Sequence, residues 1–98
     1  MEKRKIHYNL ATVNRLLVKN KVRVTKTALS GAAELGCSYD DILAVVGNLT
    51  QKDFYKSMTT HADHTIWQDV YRPKTQWGNV YLKLTVIDEV LIVSFKEL

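Results

Sequence analysis

Six side chains in the second half of the sequence are of types that hold phosphate or move protons: Lys56, Gln68, Arg72, Tyr81, Lys83 and Lys96. RNA is cleaved without a metal when its own 2′-hydroxyl attacks the neighbouring phosphorus. That step needs a proton acceptor, a proton donor for the departing 5′-oxygen, and positive charge against the developing phosphorane. Lysine and tyrosine can supply all three. Clustered ammonium groups depress one another's pKa, which frees one to accept a proton, while a bound phosphate raises it again. Exposed Trp67, Trp77, Tyr55 or Tyr71 would offer flat faces to unpaired bases, although such residues more often pack in a core or on a sheet.

Signatures of other chemistries are missing. There is no GxGxxG, no P-loop, no nucleophile elbow and no Cys/His metal set. His61 and His64, with Asp63 between them, are too few to close a zinc site. Turn or surface roles suit both better, though an imidazole titrating near neutrality can also shuttle a proton. The single Cys37 forbids an internal disulfide and fits a reducing cytoplasm. It follows Gly36 in a connection between helices and reads as a structural thiol. No cofactor and no metal are expected.

The elements that must carry the six side chains are strands. Asn79–Leu98 alternates polar with apolar, is interrupted at Asp88 and Glu89, then alternates again, which predicts a β-hairpin with a two-residue turn. Counting outward pairs Ile87 with Val90, Thr85 with Ile92, Lys83 with Ser94 and Tyr81 with Lys96. Val80, Leu82, Leu84, Val86, Leu91, Val93 and Phe95 would then form a wholly apolar face that must be buried, and a one-residue slip would expose it. Tyr81, Lys83 and Lys96 meet on the opposite face, as an anion site or simply as a solvated sheet surface. Phe54–Thr60 and Thr65–Arg72, rich in aromatic and β-branched residues, predict a second hairpin around His61–His64, and Pro73 ends it. A three-residue loop would place Lys56 opposite Gln68; a four-residue loop would shift every partner by one.

The first half reads as helices. Leu10, Val13, Leu16 and Leu17 mark an amphipathic helix within Asn9–Asn20, and Val22–Val24 a short extended segment. Thr25 or Thr27 caps a second helix ending at Gly36, and Ser38 with Asp41 resembles a capping box opening a third through Leu49. Asp40 and Asp41 there answer the helix dipole and need no catalytic role. The expected fold is α+β, with N-terminal helices packed on one face of a C-terminal antiparallel sheet.

Composition agrees with one globular domain over residues 1–98: 46% hydrophobic, one Pro, and net charge +4. The longest aliphatic run, Val90–Val93, is far short of a membrane span. The basic start MEKRKIHYNLATVNRLL lacks the apolar stretch and cleavage site of a secretory signal, so a cytoplasmic location is expected. Met1–Lys26 carries eight Lys or Arg against the single acid Glu2, whereas Thr27–Asp53 sets only Lys52 against four acids. A basic N-terminal third attracts a polyanion or an acidic protein.

The run DFYKSMTTHADHTIWQDVYRP followed by GNVYLKLTVIDEVLIVSFKE resembles the MqsR family of bacterial toxins. The resemblance implies a RelE-like fold and metal-independent cleavage of mRNA at short GC-containing sites. It places family site residues on Lys56 in FYKSMT, Gln68 in TIWQDVYRP, Tyr81 in VYLK and Lys96 in SFKE. By similarity, Tyr81 and Lys96 handle protons or the phosphate, while Lys56 and Gln68 hold phosphate and sugar. Arg72, Lys83 and His64 are candidates for additional RNA contacts. The implied partner is an antitoxin, a zinc-binding helix-turn-helix protein through which DNA is contacted only indirectly. The expectation is therefore an endoribonuclease toxin acting on single-stranded mRNA. The alternative is a non-catalytic module that binds RNA or protein through its basic N-terminal third.

Overall fold

A computed structural model describes residues 1–98. In chain order the elements are β1 (Glu2–Lys3), α1 (Leu10–Val18), β2 (Val22–Val24), α2 (Lys26–Glu34), α3 (Tyr39–Gly47), β3 (Phe54–Thr59), β4 (Trp67–Tyr71), β5 (Lys74–Thr75), β6 (Gly78–Ile87) and β7 (Glu89–Glu97). The fold is α+β. The sheet runs β1-β3-β4-β6-β7-β2, with β5 pairing to the start of β6. Two expectations are corrected. Strand β1 precedes the helices and the expected extended segment β2, between α1 and α2, joins the sheet, so the sheet is not confined to the C-terminal part; and β2 pairs with β7 in parallel, so it is mixed.

Local signals account for the helices. Asn9 caps α1 by accepting from Ala11 N at 2.7 Å, and Asn20 ends the connection after it with a positive φ of 59°. Thr25, not Thr27, caps α2 through Ala28 N at 3.1 Å. The capping box of α3 is present in both directions between Ser38 and Asp41. The apolar stripes of α1, α2 and α3 supply Val13, Ala28, Ala32, Ile42, Val45 and Val46, which pack with Tyr71, Val80, Leu82, Leu84, Val90, Ile92 and Phe95 of the sheet. Cys37 is buried with them, and burial, then the charge of Asp41, raises its pKa. No helix is long and apolar enough to cross a membrane.

The C-terminal hairpin follows the expected register at its open end and departs from it near the turn. Tyr81 faces Lys96 and Lys83 faces Ser94, but Leu84 faces Ile92, Thr85 faces Leu91 and Ile87 faces Glu89. The turn is Asp88 alone, held at a positive φ of 65°, and Val93 is the extra residue of a bulge. That one residue restores the pairing a two-residue turn would have produced. It also exchanges faces, so Val90 and Ile92 enter the core in place of Leu91 and Val93. The Thr25 hydroxyl donates to Val93 O at 2.9 Å, and Thr25 N donates to Ile92 O at 3.1 Å, docking the start of α2 on the bulge.

The β3–β4 loop is longer than either alternative. Thr59 pairs with Trp67 and Met58 with Gln68, so Lys56 lies opposite Val70. Asp63 explains the extra length: its carboxylate accepts from Thr65 N at 2.8 Å and Thr65 Oγ1 at 2.6 Å, turning the chain before the strand can start.

Helix α2 approaches β7 through Gly31, where an added Cβ would stand 2.1 Å from Phe95 O. Helix propensity alone favours Ala over Gly by about 1 kcal/mol. A backbone clash of this depth outweighs it, since overpacking costs roughly 1–3 kcal/mol. Gly31→Ala is expected to lower stability in urea unfolding, opposite in sign to the propensity gain.

Candidate functional site

Cross-strand register builds the site on the sheet face turned away from the core. Directly opposed residues share a face, as do residues two apart along a strand. Lys56, Val70, Lys83 and Ser94 form one row across β3, β4, β6 and β7. Met58 and Gln68 form the row on one side, and Tyr81 with Lys96 the row on the other. Four residues expected to act together, Lys56, Gln68, Tyr81 and Lys96, therefore share one face, with Lys83 among them. At about 4.8 Å per strand, Lys56 and Lys83 are rooted roughly 10 Å apart, within reach of a common ligand.

Val70 is the floor of this arrangement. It is fully buried yet lies outside the helix-facing core, so the side chains of its own row and the adjoining rows cover it. An apolar floor withholds water from the amines above it. Burial is accordingly the first cause that lowers the Lys83 pKa, and the charges of Lys96 and Lys56 lower it further. Lys56 is displaced the other way, chiefly by its hydrogen bond with Glu2. The Lys96 and Lys83 ammonium groups lie 5.3 and 5.9 Å from the centre of the Tyr81 ring. One face thus holds a lysine secured in its charged form, a lysine that releases its proton more readily than usual, a phenol and an amide.

The remaining candidates sort by position. Arg72 stacks its guanidinium 3.8 Å from the Tyr55 ring, beside Arg4 at 5.1 Å and Lys56 at 5.3 Å. Tyr55 reaches them because it is the extra residue of a second bulge, between Phe54 and Lys56. His64 is exposed on the β3–β4 loop, and no hydrogen bond or ring contact joins it to the lysines. Of the aromatic residues offered as stacking surfaces, Tyr71 is corrected: it is a fully buried core residue whose hydroxyl has no partner. Trp77 also packs against the core. Trp67 is half-buried, stacked with His7 and capped by the Lys3 ammonium 4.1 Å away. No three His, Cys, Asp or Glu side chains are grouped to hold a metal ion. Sequence reasoning missed Glu2 and Arg4 at the site; two residues of strand carry no periodicity to detect.

The sequence pattern of the family described as motility quorum-sensing regulator, toxin of MqsA, matches residues 5–97. The chain belongs to this family. It is 57% identical over 97 residues to the mRNA interferase toxin MqsR of Escherichia coli (strain K12), an alignment covering 99% of each chain. The match to the MqsR family spans the segments around Lys56, Gln68, Tyr81 and Lys96.

Like charge lowers the Lys83 pKa only in part, burial being the larger cause. Lys96→Ala is therefore expected to raise the Lys83 titration midpoint, while leaving it below that of an ordinary lysine. A lysine-selective ¹³C NMR titration checks the sign; a midpoint unchanged or lowered would show that the two ammonium groups do not share a field.

Proposed function

We propose that this chain is the toxin of a toxin–antitoxin pair and an endoribonuclease that cuts single-stranded mRNA at short GC-containing sites, without a metal ion, and so inhibits translation and growth. The observation that carries this reading is the shared sheet face of Lys56, Gln68, Lys83, Tyr81 and Lys96. The named mRNA interferase relative supports it.

In the proposed reaction the 2′-oxygen attacks phosphorus and the bond to the 5′-oxygen breaks. The products are a 2′,3′-cyclic phosphate and a 5′-hydroxyl. Lys56, Gln68, Tyr81 and Lys96 are the catalytic set. Lys56 offers fixed positive charge to the phosphate, and the Gln68 amide holds phosphate and sugar. Tyr81 and Lys96, directly opposed on β6 and β7, handle the protons at the reacting oxygens. Lys83 contacts the RNA and, with its lowered pKa, can take part in proton acceptance. Arg72, stacked on Tyr55, extends RNA contact beyond the reacting centre. His64 touches RNA only at the periphery.

The same proposal takes residues 1–98 as one RelE-like nuclease domain working in the cytoplasm beside its substrate. Its partner is a zinc-binding helix-turn-helix antitoxin, which would link the chain to DNA indirectly.

Purified protein incubated in chelator with a long unstructured RNA, beside Lys56→Ala, Tyr81→Phe and Lys96→Ala, tests the function and its site together. Cuts at a short recurring motif with cyclic-phosphate ends are expected, reduced by about 10²-fold or more in each variant. A 5′-phosphate product or loss of cutting in chelator would overturn the mechanism. Intact RNA bound in a salt-sensitive way would transfer the function to a binding module.

A further inference from the structure

Glu2 brings a carboxylate to the cationic face. β1 runs antiparallel to β3 with Glu2 opposite Met58, and Met58 is opposite Gln68, so Glu2 starts the row that Gln68 ends. The other acid on that side, Glu89, lies at the hairpin turn and pairs with Arg23 at 3.7 Å. Glu2 instead holds the Lys56 ammonium in a hydrogen-bonded ion pair, with side chains 53% and 20% exposed respectively.

β1 is held independently of this pair. Met1 O accepts from Thr59 N at 2.9 Å, and the N-terminal ammonium donates to Thr59 Oγ1 at 3.0 Å. Further along, Lys3 Nζ lies 2.7 Å from His7 Nδ1, and His7 N and Tyr8 N both donate to the buried Asp69 carboxylate, Tyr8 at 2.8 Å. The strap is thus fastened on both sides of Glu2. An exposed ion pair adds little to stability, so the fold does not require this one.

We infer that Glu2 is a positioning residue for the RNA cleavage proposed above, holding the Lys56 ammonium at the β1 side of the face as a fixed positive charge for the substrate phosphate. This role rests on that function. An ammonium has three donors; Glu2 takes one and leaves the others for phosphate oxygens. Around Lys56, Glu2 acts from β1, Tyr55 from β3 itself and Tyr81 from β6 to favour its charged form, against burial. Arg4 and the N-terminal ammonium face Glu2 in turn and favour its ionised form. Lys83 and Lys96 complete the surroundings. The charge of Lys56 in turn adds to the lowering of the Lys83 pKa, after burial and the charge of Lys96.

The test uses the full chain, a single-stranded RNA oligonucleotide containing a mapped cut site, and Glu2→Gln, Glu2→Asp and Lys56→Ala, alone and combined. Glu2→Gln is expected to lose about tenfold in rate, mainly in kcat, since a charge held in place matters most as phosphorane charge develops. Its Tm stays at the wild-type value, Glu2→Asp recovers most of the rate, and adding Glu2→Gln to Lys56→Ala costs nothing more. In a ¹³C NMR titration without RNA, Lys56 of Glu2→Gln titrates at lower pH than in the wild type. Wild-type or faster cutting by Glu2→Gln, or an equal loss in the Lys56→Ala background, would overturn the role. Failure of the wild type to cut would overturn the proposed function, and with it this role, whereas an active wild type with an indifferent Glu2→Gln overturns the role alone.

Discussion

The pairing of β6 with β7 sets both faces of the sheet at once. In a two-faced sheet, any register that buries Val80, Leu82, Leu84 and Phe95 against the helices must present Tyr81, Lys83 and Lys96 on the other side. The site geometry therefore has the stability of the core behind it. A slip that moved the lysines would also expose the apolar face, and the cost of exposing several large side chains far exceeds what a few surface amines contribute. The remaining elements add to this hairpin: β4 and β3 extend it on one edge, β2 on the other, and the helices cover it.

The bulge at Val93 shows how the hairpin meets two demands. A tight turn at Asp88 and an unchanged register at the open end are incompatible in a regular ladder, and one extra residue reconciles them. The N-cap of α2 bonds to the two carbonyls around that residue, so the irregular point of β7 is also where the helix layer is pinned. Gly31 then lets the same helix lie against the Phe95 carbonyl and the Cβ of its neighbour Lys96.

The parts of the fold legible in the sequence were those governed by local chemistry or long periodicity. Ser38 and Asp41 announced α3 because a capping box is completed within four residues. The pairing of Tyr81 with Lys96 matched the count from a two-residue turn because the extra residue at the Val93 bulge offsets the shorter turn at Asp88. The swap of Leu91 and Val93 for Val90 and Ile92 was hidden, since all four are aliphatic and the alternation between them is silent. Gln68 was placed one row from its true position because the Asp63 turn lengthened a loop whose composition did not reveal its span. Arg4 and Glu2 came to the site through an edge pairing across more than fifty residues, where no local signal exists. The shared face of Lys56, Gln68, Tyr81 and Lys96 survived these errors. A diagonal shift of two residues preserves the face even when it changes the partner.

The place of β7 in the sheet bears on the order in which the molecule can be made. β7 is last in sequence but lies between β6 and β2, and it carries Val90, Ile92 and Phe95 of the core together with Lys96. Until it emerges from the ribosome, α2 has no surface to pack on, β2 has no strand to join, and Tyr81 has no partner. Contacts that span most of a chain form late, because the closure entropy must be met before they are rewarded. The paired Tyr81 and Lys96 therefore come together only after every other strand of the sheet has been made.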